Sequence, residues 1–81
     1  MTFELFSRVA LNVNVSRYGL RRGDVATIVD HHPVSEGEDG YSLEVFNALG
    51  ETIAVLVLAE SQILPMTRNE VLQIRVLDQV S

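Results

Sequence analysis

The sequence predicts an all-β domain, and two observations carry that expectation. Twelve valines, ten leucines and four isoleucines stand among 81 residues, a bias toward side chains that suit a pleated, half-buried surface. They fall in short alternating runs separated by glycine-containing turns, which is the period-two signature of strands. A hydrophobic fraction of 47% against 21% charged residues describes a chain that folds rather than a disordered tail. The length fits one domain, residues 1–81, with no room for a separate cofactor-binding module.

The elements follow in order. From Arg8 to Val15, the side chains Val9, Leu11, Val13 and Val15 alternate with Ala10, Asn12 and Asn14, as in a half-buried strand. Ser16 to Asp24 holds two glycines and three arginines without a regular period and reads as a long irregular loop. Val25 begins a second strand that ends about His32, because Pro33 lacks a backbone donor. Ser35 to Gly40 is an acidic hairpin tip with no apolar anchor, so it is expected to be mobile. Tyr41, Leu43 and Val45 then alternate with Ser42, Glu44 and Phe46, and Asn47 to Gly50 turn the chain into a strand from Thr52 to Leu58. Ala59 to Gln62 fits one short 3-10 turn before Ile63. In the tail, Thr67 to Glu70 has capping-box spacing while Leu72, Ile74 and Val76 alternate as a strand would; a strand is favoured. Five or six short antiparallel strands most economically close into a small SH3-like barrel, since an open sheet leaves unpaired edges.

Composition excludes several functions. Eleven acids oppose six bases, all of them arginine, for a net charge of -5, which repels a phosphate backbone and makes nucleic-acid binding unlikely. The absence of cysteine removes disulfides, thiolate metal sites and thiol chemistry and suggests a cytoplasmic home. The longest apolar run, Ile53 to Ala59, is seven residues, against about 20 for a membrane-spanning helix. No signal peptide is legible at Met1 to Phe6.

The segments Leu5 to Leu11, Tyr18 to Val29 and Leu43 to Val45, with Gly50 and Leu58 to Leu64 following, resemble a small bacterial family common in cyanobacteria, domain of unknown function 4926. The resemblance covers about residues 5–65 and leaves the tail unmatched. It implies a small β-barrel, and the family's occurrence as small paired genes implies an acidic module that neutralises a toxin-like or nuclease-like partner. The Gly23-Asp24-Val25 step also resembles a short motif of ribosomal and transcription-factor SH3-like domains, which implies RNA or protein partners.

Candidate chemistry is sparse. His31 and His32 are adjacent, so on a strand they point to opposite faces and make a poor metal site. Glu36, Glu38 and Asp39 lack the ordered spacing of a calcium loop. A serine–histidine–carboxylate site would need Ser7, Ser16, Ser35, Ser42 or Ser61 to meet a histidine in a concave pocket, which so small a barrel fills with side chains. Neither catalytic residues nor a metal or cofactor are expected. Arg17, Arg21 and Arg22 form the local positive cluster, with Tyr18 between them, and suit one edge of a protein-binding surface. In the strand from Thr52 to Leu58 both faces are apolar: Ile53, Val55 and Val57 lie opposite Ala54, Leu56 and Leu58, and Phe46 falls on the outer side. A small barrel buries one face only, so the outer one is expected to be covered by the tail, a second subunit or a partner. The sequence thus points to a non-enzymatic protein-interaction module acting through Arg17, Tyr18, Arg21, Arg22, Phe46, Val55 and Val57, on another protein or as a homodimer. The rival expectation is an RNA- or ribosome-associated barrel using the arginine loop.

Overall fold

In a computed structural model, which describes residues 3–77, the alternating runs become five antiparallel strands. They are β1 (Arg8–Leu11), β2 (Val25–His32), β3 (Gly40–Phe46), β4 (Thr52–Ala59) and β5 (Ile63–Pro65). One sheet joins them in the order β4-β3-β2-β1-β5. The middle strands are a meander, β5 returns to pair with β1, and β4 and β5 are the two edges.

Alternation decides the core as the sequence predicts. Tyr41, Leu43 and Val45 of β3 and Ala54, Leu56 and Leu58 of β4 are buried, together with Val9, Leu11, Ala26, Ile28 and Ile63 from the other strands. Burial of each large aliphatic side chain contributes roughly 1.5–3 kcal/mol. Cross-strand register brings Leu43 beside both Ile28 and Leu56, so these three side chains sit together at the centre of the sheet.

The turns have identifiable chemistry. In the β3–β4 hairpin the Asn47 Oδ1 accepts the backbone N–H groups of Leu49 and Glu51, at 3.0 and 2.9 Å, imitating a peptide carbonyl. Before β5 the chain makes a 3-10 turn at Glu60–Gln62, and Gln62 Oε1 accepts the Ala59 N–H at 2.9 Å. The β1–β2 connection differs from the irregular loop expected of it. It contains a second 3-10 turn, Ser16–Tyr18, closed by Gly19 at φ 69°, a left-handed conformation that glycine adopts without strain. An isolated bridge between Val15 and Leu20 then tucks Leu20 into the core at 3% exposure.

One irregularity has consequences for the site. Ile28 pairs with Leu43, yet Asp30 pairs with Ser42, so β2 carries a bulge at Val29. The extra residue reverses the face of everything after it. His31 is therefore placed beside inward-facing Tyr41 rather than on the outer face.

The favoured tail strand does not form. Among the described residues, 66–77 hold no strand, only a turn at Arg68 and Asn69 followed by irregular chain. Pro65 ends β5 after three residues and supplies no donor for further pairing. The tail is instead tied at its far end: Arg75 Nε donates to Asp24 Oδ1 at 2.8 Å, its Nη2 reaches Asp24 Oδ2 and the Gly19 carbonyl, and Leu77 packs on the core. Residues 78–81, the end of the tail whose strand or helix character the sequence leaves open, lie outside the described residues.

Candidate functional site

The outer face of β4 is the largest departure from ordinary sheet patterning. Ala54, Leu56 and Leu58 fill the core, while Ile53, Val55 and Val57 are 39%, 54% and 63% exposed and Phe46 is 43% exposed. In register, Val57 lies beside Ser42 and Val55 beside Glu44, so the apolar row runs along the rim of the sheet. The described part of the tail, residues 66–77, leaves Val55 and Val57 exposed. Phe46 and Ile53 border an open cleft between the sheet and the tail, together with Arg21 and Arg22. Those four side chains are thus brought to one concavity, whereas Val55, Val57, Arg17 and Tyr18 are not part of it. Ile53 belongs with the apolar row and was legible as such, being in phase with Val55 and Val57. Among the described residues β4 pairs with β3 alone, so these side chains stand at a sheet edge, where a further strand can pair.

The arginine loop is more internally engaged than a charge count suggests. Arg17 lies over the Tyr18 ring, 4.9 Å from its centroid. Arg22 Nε donates to Asn12 Oδ1 and its backbone N–H to Asn14 Oδ1, both at 2.9 Å. The Arg21 backbone N–H donates to Asp24 Oδ2 at 2.7 Å. Burial raises the Asp24 pKa, but the Arg75 hydrogen bond, the Arg21 N–H and the attraction of both guanidinium groups outweigh it and hold the carboxyl below its usual value. Asp24 is the hub here, and pairing across 51 residues of sequence hid Arg75 from any local motif.

The histidines divide as adjacency requires. His31 stacks on the buried Tyr41 ring, centroids 4.8 Å apart and planes at 10°, and its Nε2 lies 2.8 Å from Asp39 Oδ2. That hydrogen bond, with another from the Val34 N–H, keeps the Asp39 carboxyl below its usual pKa. Glu38 accepts the Ser61 N–H at 2.8 Å and its hydroxyl at 3.0 Å. The acidic tip expected to lack anchors is therefore fastened by polar ones, to His31 on one side and to the 3-10 turn on the other. His32 Nε2 meets Ser42 Oγ at 2.7 Å on the exposed face of the sheet. No carboxylate is bonded to His32 among the described residues, and the pair does not line the cleft between sheet and tail. No three His, Asp or Glu side chains converge as metal ligands among the described residues. No described helix is long and apolar enough to cross a membrane.

The comparisons with known proteins agree on one point only. No curated protein and no solved structure matches the chain. Residues 5–65 match the family described as Domain of unknown function (DUF4926), from the residues just ahead of β1 to the end of β5, and the chain belongs to that family.

Proposed function

We propose that this protein is a non-enzymatic, cytoplasmic interaction module built as a small SH3-like barrel, which neutralises or regulates a protein partner. The observation that carries the reading is the exposed apolar row on an edge strand: Val55 and Val57 are more than half exposed, on a strand that pairs with β3 alone among the described residues, and such an edge can take up another chain. Arg21 and Arg22 line the cleft that Phe46 and Ile53 border, and with Arg17 and Tyr18 of the same loop they suit acidic groups on the partner. A bacterial setting, cyanobacterial above all, belongs to the same reading. The competing RNA- or ribosome-associated role is less favoured, because Arg22 is held by Asn12 and Arg17 lies on Tyr18, and the net charge of -5 opposes a polyanion.

Affinity capture with the full chain at low and high salt tests the proposal. A stoichiometric protein retained at high salt by the wild type and lost on Val55→Asp supports it. Retention by a folded Val55→Asp, Arg21→Glu, Arg22→Glu variant removes the proposed surface. Capture of RNA alone, abolished by salt, favours the competing role.

A further inference from the structure

The cleft between the sheet and the tail joins an apolar floor to a positive rim, on a chain that is acidic overall. Val9, Leu11, Ala26 and Ile63 turn to the core, so Ala10, Val25 and Leu64, which alternate with them, lie on the opposite side of the sheet. Register sets Ala10 between Val25 and Leu64, and the three form the cleft floor, with Phe46 and Ile53 toward β3 and β4. The tail is the facing wall: Val71 and Ile74 border the cleft and are 84% and 91% exposed. The described part of the tail thus leaves an apolar trough open.

Four of the six arginines line this trough, Arg8, Arg21, Arg22 and Arg75, against two of the eleven acidic residues, Asp24 and Glu70. Among the described residues a chain of net charge -5 therefore places a surplus of two positive charges along one concavity. Both carboxylates already serve the protein: Asp24 accepts from Arg75 and from the Arg21 N–H, and Glu70 from the Thr67 N–H. The Arg22 guanidinium is oriented by Asn12 Oδ1, which lowers the ordering cost of a further contact. We propose, resting on the interaction reading, that this cleft is the docking groove for an extended acidic segment of the partner protein, in which carboxylates alternate with aliphatic side chains.

Charge complementarity selects the carboxylates, and the floor selects what lies between them. Alternate side chains on one side of an extended chain are about 7 Å apart, so aliphatic groups on that side meet Ala10, Val25 and Leu64 while the carboxylates turn to the exposed arginines. A phosphate backbone shares the charge but not the fit. Among the described lining residues Phe46 is the single aromatic, so stacked bases find no platform. Added salt weakens the attraction between arginine and carboxylate, while the apolar floor retains part of the affinity.

Titration of the full chain with a short labelled peptide that alternates glutamate with leucine or valine, followed by fluorescence anisotropy and NMR shifts, is the test. The expected result is saturable binding that shifts the amides of Ala10, Val25 and Leu64 and weakens about 3–10-fold from low to high salt. A peptide with lysine in place of glutamate, and another with serine in place of the aliphatic residues, are each expected to bind at least about tenfold more weakly. Arg8→Glu and Arg22→Glu each weaken binding about 3–10-fold, and Glu36→Gln, in the acidic tip, leaves it unchanged. If the charge-reversed variants do not fold, the wild-type shifts locate the site without them. No binding up to about 1 mM, equal binding of the lysine peptide, or shifts confined to Val55 and Val57 overturns the groove. Partner capture that is lost on Val55→Asp and indifferent to Arg8→Glu also overturns it, while leaving the interaction reading in place. An RNA oligonucleotide that displaces the peptide and binds more tightly transfers the cleft to a nucleic acid.

Discussion

At the scale of single residues, Tyr41 joins the core to His31 and Phe3. Its ring is fully buried, stacks on His31 and receives the Phe3 ring edge-on at 5.4 Å, while its hydroxyl accepts the Phe3 backbone N–H at 3.2 Å. Tyr41→Phe keeps the packing and removes one hydrogen bond, so urea unfolding is expected to show a loss of about 0.5–1.5 kcal/mol. The neighbouring Asp39 gives a pH dependence with a definite sign. Its carboxyl is held low chiefly by the His31 hydrogen bond and then by the Val34 N–H, so the folded state favours the ionised form. The contribution is complete above the unfolded carboxyl pKa of about 3.9 and disappears as the pH falls through the lower folded value. His31→Phe keeps a ring on Tyr41 but removes the donor; the Asp39 pKa, followed by NMR titration, should then move up. Gly19→Ala introduces a Cβ at φ 69°, and the expected loss of about 1–2 kcal/mol comes from the backbone rather than from a clash, since Leu77 is at ordinary contact distance, 3.9 Å.

At the scale of elements, β4 separates two jobs by alternation. Leu56 is 3% exposed and Val55 54%, so Leu56→Ala is expected to destabilise by about 2–5 kcal/mol while Val55→Ala changes monomer stability by about 0.5 kcal/mol or less. Chemical denaturation of the two variants side by side checks the assignment of faces. The tail is an element by pattern but not by pairing. Val71, Ile74 and Val76 are more than four-fifths exposed, and the Arg75 contacts with Asp24 and Gly19 hold the segment in place. Arg75→Ala should release the tail, seen as sharpened NMR resonances for residues 70–77, with about 0.5 kcal/mol or less lost from the body because the pair is partly solvated. Asp24→Ala should cost more, since the Arg21 N–H loses its acceptor as well.

At the scale of the whole molecule, charge is arranged along the sheet. The arginine loop precedes β2 and the acidic tip follows it, so the two poles stand about 26 Å apart, the length of eight extended residues. Between them lies the neutral rim of β4. An acidic partner surface is steered toward the first pole and repelled by the second, whereas an apolar strand meets neither. Salt thus separates the two classes of contact in one experiment: association through Arg17, Arg21 and Arg22 weakens as ionic strength rises, and association along β4 does not. Stability of a domain this size is on the order of 4–12 kcal/mol, so a variant such as Leu56→Ala consumes a large part of it, and the interaction tests rest on the outer positions for that reason.

Side-chain alternation is a local property, so the sequence by itself determined the strands from Val25 to His32, from Tyr41 to Phe46 and from Thr52 to Leu58, and the outward placing of Phe46, Val55 and Val57. It determined the second apolar face for the same reason, and expected the tail, a second subunit or a partner to cover it; that the described tail leaves Val55 and Val57 exposed was decided by the fold. Contacts between distant residues were decided by the tertiary structure. The bulge at Val29 reverses a face only because Ile28 and Asp30 meet consecutive residues of β3, and no propensity marks it. Asp24 finds Arg75, Glu38 finds Ser61 and Leu20 enters the core across the β1–β2 connection, none of which spacing alone discloses. The tail has the pattern of a strand and lacks a partner within the described chain. A strand is completed by the edge it pairs with, and that edge is a fact of the fold rather than of the segment.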